Sequence, residues 1–269
     1  MKMKMIITKN VLVAGAVLLM APPVFAKHGG NGGGGGKKAG PDVLHFSIKE
    51  SFTNDSASSG ASETSATGTL TANQAEQGSA NKETLNLMLK GLSPSTTYDL
   101  FAITSDNPTS TQVDSFTTDS KGNASVHYSN SAKGKKNVAL PAGIDPVSHI
   151  LELDVVNDGT QQTVLTADLT NPSSIKYLVN RDISADPVTS RLMINSSKSK
   201  TSFKLTASGL NPSTDYNLVI NGTDSTVVTS DANGNLTVTS APLPANILDL
   251  NSVALTDSSN TTVVSTTLP

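Results

Sequence analysis

A ten-residue phrase that occurs twice constrains this chain more than any other feature of its sequence. The first copy, at 91–100, is GLSPSTTYDL, and the second, at 209–218, is GLNPSTDYNL, so the two copies lie 118 positions apart (209 − 91). Each copy follows a run of alternating apolar and polar residues and leads into another such run. Proline fixes φ and favours a turn, so Pro94 and Pro212 bend the chain between two extended segments. The phrase therefore predicts the same strand–turn–strand corner at two places.

The repetition continues well beyond these corners. The turn sequence DSKGN at 119–123 has a counterpart, DANGN, at 231–235, and LPAGI at 140–144 matches LPANI at 243–247. A period near 118 residues is far longer than that of solenoid repeats, whose units have about 20 to 50 residues. We therefore predict a duplicated domain, with the junction at Asn171-Pro172.

Alternation with period two predicts β-strands in both copies. Leu44, Phe46 and Ile48, for example, alternate with polar neighbours. Turn residues recur every 8–12 positions and no segment has a convincing helical period, which is typical of an all-β protein. Asn157-Asp158-Gly159 predicts a hairpin between 150–156 and 163–169. The turns at 119–123 and 231–235 each predict a further hairpin, joining 113–118 to 124–128 and 227–229 to 236–238.

Tyrosine follows each proline turn, at Tyr98 and Tyr216. A tyrosine at this position buries its ring under the corner while its hydroxyl bonds to the backbone upstream. The pattern Gly-Leu-x-Pro-x-Thr-x-Tyr resembles the tyrosine corner of fibronectin type III-like and immunoglobulin-like sandwiches. The resemblance covers about ten residues in each copy and implies two tandem antiparallel Ig-like β-sandwich domains, each closed around its own corner. At least four strand-like runs follow each tyrosine here, whereas about two follow it in the fibronectin type III pattern.

The N-terminus has the features of a secretory signal peptide. Lys2, Lys4 and Lys9 accompany an apolar run from Val11 to Met20, and small residues before position 26 suit cleavage after Ala26. A retained N-terminal anchor is the alternative interpretation of this segment. The following KHGGNGGGGGKKAG segment is typical of a flexible tether. We predict a signal peptide at 1–26, a Gly-rich linker at 27–41, and sandwich domains at 42–170 and 171–269, in a secreted or periplasmic protein without a transmembrane segment after signal cleavage.

Composition narrows the classes of function. The chain has no cysteine, which excludes disulfides, thiolate nucleophiles and cysteine-based metal sites. Its net charge is −3, and removal of three signal-peptide lysines brings the exported chain near −6 (−3 − 3), which argues against nucleic-acid binding. Aromatic residues make up only 4% of the chain and tryptophan is absent, which disfavours a carbohydrate-binding module with aromatic platforms.

No catalytic or cofactor motif is found in the sequence. There is no G-x-S-x-G elbow, and the glycine run at 30–36 opens no phosphate-binding helix. The four histidines, His28, His45, His127 and His149, are far apart and favour no metal site. The Asp-rich turns at 119–123 and 231–235, and Asp154 with Asp158, are interpreted as structural, with calcium binding as the alternative. The basic cluster at 133–136 is interpreted as a solvated loop.

We therefore expect no catalytic, cofactor-binding or metal-binding residues and predict that the protein is not an enzyme. The predicted function is that of an exported protein acting through its surfaces, in adhesion, in matrix or envelope assembly, or in binding a protein or cell-surface partner. Two modules on a flexible tether favour this function through avidity. The alternative is a glycan-binding or small-molecule-binding module that uses loops at one end of a sandwich. The partner, the oligomeric state and the choice between periplasm and exterior are left open by the sequence.

Overall fold

The computed structural model describes residues 42–55, 63–131, 138–197 and 200–268. These residues belong to one compact unit. The predicted signal peptide, the predicted Gly-rich linker with His28, and the basic cluster at 133–136 lie outside the described residues.

The described residues form eighteen β-strands and three short 3₁₀ turns, which confirms the predicted all-β class. The 3₁₀ turns lie at Ala142–Ile144, Val147–His149 and Ile247–Asp249. The strands are β1 (Val43–Ser51), β2 (Thr53–Asn54), β3 (Thr67–Gln77), β4 (Ala80–Lys90), β5 (Thr97–Thr104), β6 (Thr111–Thr117), β7 (Ala124–Ser129), β8 (Val138–Ala139), β9 (Ile150–Asn157), β10 (Gln162–Asp168), β11 (Ser174–Asp182), β12 (Thr189–Ser197), β13 (Lys200–Ser208), β14 (Asp215–Ile220), β15 (Asp224–Thr229), β16 (Leu236–Val238), β17 (Ser252–Thr256) and β18 (Thr262–Thr267).

These strands make three sheets. A nine-stranded sheet, here called the large sheet, has the order β16-β13-β12-β11-β1-β3-β4-β7-β8. A five-stranded sheet has the order β2-β10-β9-β5-β6, and a four-stranded sheet has the order β15-β14-β17-β18. All pairs are antiparallel except β7 with β8. The first repeat thus contributes one side of the large sheet and the five-stranded sheet, and the second repeat contributes the other side and the four-stranded sheet.

The two repeats are joined by the antiparallel pairing of β1 with β11. We expected two self-contained sandwiches, but the large sheet crosses the predicted junction at 170–171 without a break. Phe46 of β1 lies directly opposite Tyr177 of β11. These residues are also equivalent in the two repeats, as their neighbours along the sheet show. In the first repeat, Phe46 pairs with Gln74, and Gln74 pairs with Glu83. In the second repeat, Tyr177 pairs with Ser196, and Ser196 pairs with Thr201. Thr201 is the counterpart of Glu83, because it lies 118 positions later (201 − 83), which is also the distance between the two corners.

Both small sheets cover the same face of the large sheet. Directly paired side chains in neighbouring strands lie on one face of a sheet, and Phe46 and Tyr177 are both buried. The inward side chains of β1 and β11 therefore belong to one continuous core. In the first repeat, Tyr128 of β7 spans the core and donates a hydrogen bond of 2.8 Å to Asp114 of β6 in the five-stranded sheet. The other face of the large sheet is uncovered by the described residues.

The predicted strands are found, usually with a few more residues at their ends. The hairpin between β9 and β10 is confirmed. The two hairpins predicted across 119–123 and 231–235 are wrong, because the strands on either side of each turn enter different sheets. β6 pairs with β5 whereas β7 pairs with β4, and the same division separates β15 from β16. These turns reverse the chain across the core. In the first, Leu92 N–H donates to Gly122 O across 3.1 Å, which attaches the turn to the tyrosine corner.

The predicted tyrosine corner is found in both repeats. The Tyr98 ring is fully buried, and its hydroxyl oxygen accepts a hydrogen bond of 3.0 Å from the backbone N–H of Ser93. Tyr216 is also buried, and its hydroxyl oxygen accepts a bond of the same length from the N–H of Asn211. Each tyrosine thus bonds to the backbone five residues upstream.

Among the described residues, no helix has the length and apolar character needed to cross a membrane.

Candidate functional site

Charged side chains are segregated between the sheets. Every Lys, Arg and His that lies in a described strand belongs to the large sheet, whereas the strands of the two smaller sheets contain none. These residues are His45 and Lys49 in β1, Lys82 and Lys90 in β4, His127 in β7, Lys176 and Arg181 in β11, Arg191 in β12, and Lys200 and Lys204 in β13. The cations of the strands are thus concentrated on one sheet, although the chain as a whole has a net charge of −3.

Most of these side chains lie on the uncovered face of the large sheet. Residues of a strand alternate between faces. Lys49, Lys82 and Lys176 are exposed and each adjoins a buried residue of its strand, and Lys204 is exposed between two of them. The exception is Arg181, which has the inward phase and forms an ion pair of 2.7 Å with Glu76. In β1, β3, β4, β7, β11, β12 and β13, the only carboxylate with the outward phase is Asp182, at the end of β11. We call this uncovered face the basic face.

A ladder of small polar side chains lies between the lysines of the basic face. Ser47 Oγ donates to Asn73 Oδ1 across 2.7 Å, and Asn73 Nδ2 donates to Thr84 Oγ1 across 3.2 Å, so one ladder crosses three strands. In β12, Arg191 Nε donates to Asn180 Oδ1 across 2.6 Å. Because these short side chains bond to one another along the sheet, they leave the longer lysine side chains projecting above them. The face is therefore broad and positively charged.

The outer face of the five-stranded sheet has the opposite charge, and we call it the acidic face. Glu152 and Asp154 of β9 and Asp168 of β10 alternate with core residues and therefore point away from the core. Asp99 of β5 has the same outward phase, but it is buried beneath its neighbours and its Oδ1 accepts a hydrogen bond of 2.7 Å from Gln112 Nε2. Glu152 lies directly opposite Asp168. Like charges in directly opposed positions destabilise a sheet, so the folded structure of this protein retains a repulsive arrangement on this surface.

The proximity of these carboxylates changes their protonation. Burial raises the pKa of Glu152, and the negative charges of Asp154, Asp168 and Asp55 raise it further. Burial also raises the pKa of Asp154, although a hydrogen bond of 2.6 Å donated by Thr166 Oγ1 opposes this effect. The charged forms of both groups are thus disfavoured in the folded chain.

The histidines singled out in the sequence are not brought together. His45 and His127 lie on the basic face, where His127 Nδ1 contacts Asn86 Oδ1. His149 lies at one end of the first repeat, where its Nδ1 contacts Asp106 Oδ2. Among the described residues, no group of three or more His, Asp or Glu side chains has an arrangement suited to a metal ion.

The aspartates of the two cross-core turns bond to their own backbone. Asp119 Oδ1 accepts hydrogen bonds of 2.8 Å from the N–H groups of Lys121 and Asn123, and Asp231 Oδ1 accepts the equivalent pair. The bond from the amide of Asn123 is the main cause that lowers the pKa of Asp119. Asp154 bonds to Thr166, and Asp158 is exposed in the turn between β9 and β10. The aspartates of the two cross-core turns thus brace the backbone of their own turns.

A buried carboxylate in the first corner was missed by sequence reasoning. Glu63 Oε1 accepts hydrogen bonds from Ser93 Oγ at 2.8 Å, Tyr98 Oη at 2.9 Å and Asn157 Nδ2 at 3.2 Å. Burial raises the pKa of Glu63, but these hydrogen bonds outweigh burial, and the net effect lowers it. Nothing local in the sequence around Glu63 indicates partners at 93, 98 and 157.

Compared with known proteins, the chain matches no family model and no curated protein.

Proposed function

We propose that this is an exported, non-enzymatic protein that acts through its surfaces in adhesion, in matrix or envelope assembly, or in binding another macromolecule. The observation that carries the proposal is the basic face, a broad, uncovered sheet surface on which the cations of the strands are concentrated. Such a surface suits contact with another macromolecule, since electrostatic complementarity speeds and orients association. The predicted signal peptide supports export to the periplasm or beyond, and the two corners support fibronectin type III-like or Ig-like repeats.

The proposed function is tested by measuring how much of the exported protein stays with cells and envelope fragments. We compare the natural chain with a variant carrying Lys82→Gln, Lys176→Gln and Lys204→Gln, at low and high ionic strength. Retention that falls in high salt and in the variant supports the proposal. Lys121→Gln is the matched control, because Lys121 is exposed in a turn and lies in none of the strands of the basic face. If the triple variant is retained as well as the natural chain, the basic face is not the functional surface.

A second candidate function, binding of a glycan or small molecule, is favoured by a pocket at one end of the first repeat. The pocket has a volume of about 220 Å³ and lies where the end of β5 meets the two 3₁₀ turns that precede β9. Its lining includes Thr104, Asn107 and the contacting pair of Asp106 and His149. A glycan array and a thermal-shift screen test this function, with Asp106→Asn and His149→Ala as variants. Binding that both variants abolish would support it, and the absence of any hit would remove it.

A further inference from the structure

We propose that the basic face of one copy docks onto the acidic face of another copy, so that the protein assembles head to tail. This inference rests on the proposed function and names its partner as a second copy of the same chain. Both surfaces belong to the described structure, and each supplies the charge that the other lacks.

The acidic face carries a charge that its own sheet does not neutralise. None of β2, β5, β6, β9 and β10 contains a Lys, Arg or His. The elevated pKa of Glu152 reflects burial together with repulsion from Asp154, Asp168 and Asp55. A cationic surface placed over these groups would relieve the repulsion, because opposite charges favour the ionised form of a carboxylate.

Apolar side chains are interspersed with the charges on both surfaces. Phe101 and Ile103 have the same outward phase as Asp99 in β5 and are half-buried. On the basic face, Leu178 is 39% exposed and Met88 is 57% exposed. Interfaces gain most of their affinity from buried apolar groups, whereas charges around them set orientation and specificity. The two faces therefore offer both kinds of contact.

The dimensions of the two faces also match. Neighbouring strands are about 4.8 Å apart, so the five strands of the acidic face span about 19 Å between the outermost strand axes. The lysines of the basic face extend from β4 to β13, which are separated by five strand spacings in the large sheet, or about 24 Å. The acidic face thus fits within the lysine-bearing region of the large sheet.

The contact area sets the expected strength. The four longer strands of the acidic face have seven or eight residues and rise about 26 Å, so a face about 19 Å wide offers roughly 500 Å² and the contact buries roughly 1,000 Å² in total. Interfaces of this size are typical of weak complexes, so association should be weak and dependent on salt. Because the two faces are different surfaces of the chain, the contact is heterologous and propagates unless rotation closes a ring.

Sedimentation velocity on the exported chain tests the proposal over a range of concentrations. At low ionic strength, the average mass should rise with concentration beyond that of a monomer, and high salt should return it to the monomer. The variant Lys82→Gln/Lys176→Gln/Lys204→Gln removes three of the seven Lys and Arg charges of the basic face, and Glu152→Gln/Asp168→Asn removes two of the four carboxylates of the acidic face. Each should weaken association roughly tenfold or more, as expected for the loss of several exposed ion pairs. Lys121→Gln should assemble like the natural chain.

Mixing the two charge-reduced variants distinguishes this interface from any other. The basic-face variant still has an intact acidic face, and the acidic-face variant still has an intact basic face, so the mixture should form one-to-one dimers that do not grow. A natural chain that stays monomeric at low salt at every concentration would overturn the proposal, as would oligomers that persist in both variants. A monomeric chain that binds dextran sulfate through the same lysines would also overturn it, while leaving the proposed function intact with an anionic polymer as partner.

Discussion

Phe46 and Tyr177 lie directly opposite each other at the centre of the large sheet, and they occupy equivalent positions in the two repeats. A local two-fold axis therefore passes between them and relates the two halves of the chain. Such a self-complementary contact is what an isologous dimer makes between separate subunits. Here the duplication places both partners in one chain. β1 and β11, which would be edge strands in separate sandwiches, cover each other and remove two sites for unwanted pairing.

Tyr177 differs from its symmetry-related counterpart, Phe46, by one hydroxyl group. The Tyr177 hydroxyl is buried without a hydrogen-bond partner among the described residues. An unsatisfied buried polar group costs stability, so Tyr177→Phe should raise the free energy of unfolding by about 1 kcal/mol. Denaturant unfolding checks this, with Tyr128→Phe as the control. That variant loses the bond to Asp114 and should lower stability by a similar amount. A destabilised Tyr177→Phe would show that the hydroxyl has a partner.

The two tyrosine corners should differ in what they contribute to stability. Tyr98 Oη accepts from Ser93 N–H and also donates to Glu63, whereas for Tyr216 the equivalent bond is that from Asn211 N–H. Tyr98→Phe therefore leaves the buried carboxylate of Glu63 with one hydrogen-bond donor fewer. We expect it to lower the free energy of unfolding by about 3 kcal/mol, whereas Tyr216→Phe should lower it by about 1 kcal/mol. Thermal and denaturant unfolding of the two variants provide the comparison. Equal losses would mean that the Glu63 contact contributes nothing.

The stability provided by Glu63 should depend on pH. Its folded-state pKa lies below its unfolded value, so its contribution is present above the unfolded pKa and is lost as the pH falls through the folded pKa. Glu63→Gln should lower the free energy of unfolding by about 1–2 kcal/mol at neutral pH. The difference in unfolding free energy between this variant and the natural chain should become smaller in acid, and unfolding curves measured at a series of pH values would reveal this. A difference that is constant with pH would assign the loss to packing.

Glu152 should show the opposite dependence. Its folded-state pKa is raised, so the folded chain retains the proton to higher pH than the unfolded chain, and stability is lost as the pH rises from the unfolded pKa through the folded one. At neutral pH the ionised group is therefore a net cost. Glu152→Gln should stabilise the chain by roughly 0.5 kcal/mol at neutral pH, allowing for solvent screening, and by less in acid. Asp158→Asn, in an exposed turn, should change little. Destabilisation by Glu152→Gln would contradict the repulsive acidic face.

Sequence reasoning predicted the strands and both corners because their signals are local. Leu44, Phe46 and Ile48 alternate, and each tyrosine follows its proline at a fixed spacing. The cross-core turns were wrongly predicted as hairpins, because Asp, Asn and Gly indicate a reversal of the chain without specifying the sheet that each strand enters. The pairing of β1 with β11 leaves no local signal either, since its members lie 131 positions apart (177 − 46) and an edge strand has the same alternation as a central one.

The candidate site was harder to predict than the fold. Each outward lysine, such as Lys82 or Lys204, has the pattern of an ordinary solvated strand residue when it is considered alone. Only the order of strands shows that these lysines share one face, and that the carboxylates of β9 and β10 share another. Glu63 is similar, because its partners come from two distant segments, the first corner and the end of β9, which meet it only in the folded chain.

The most direct test of the shared sheet is residue-resolved amide hydrogen exchange in β1 and β11. A central strand bonds its N–H groups alternately to both neighbours, whereas an edge strand exposes every second N–H to water. Consecutive amides from Leu44 to Lys49 and from Ile175 to Arg181 should therefore all exchange slowly, near the rate set by global unfolding. Rapid exchange at every second amide of both strands would show that the repeats are separate sandwiches, and the continuous basic face would not exist.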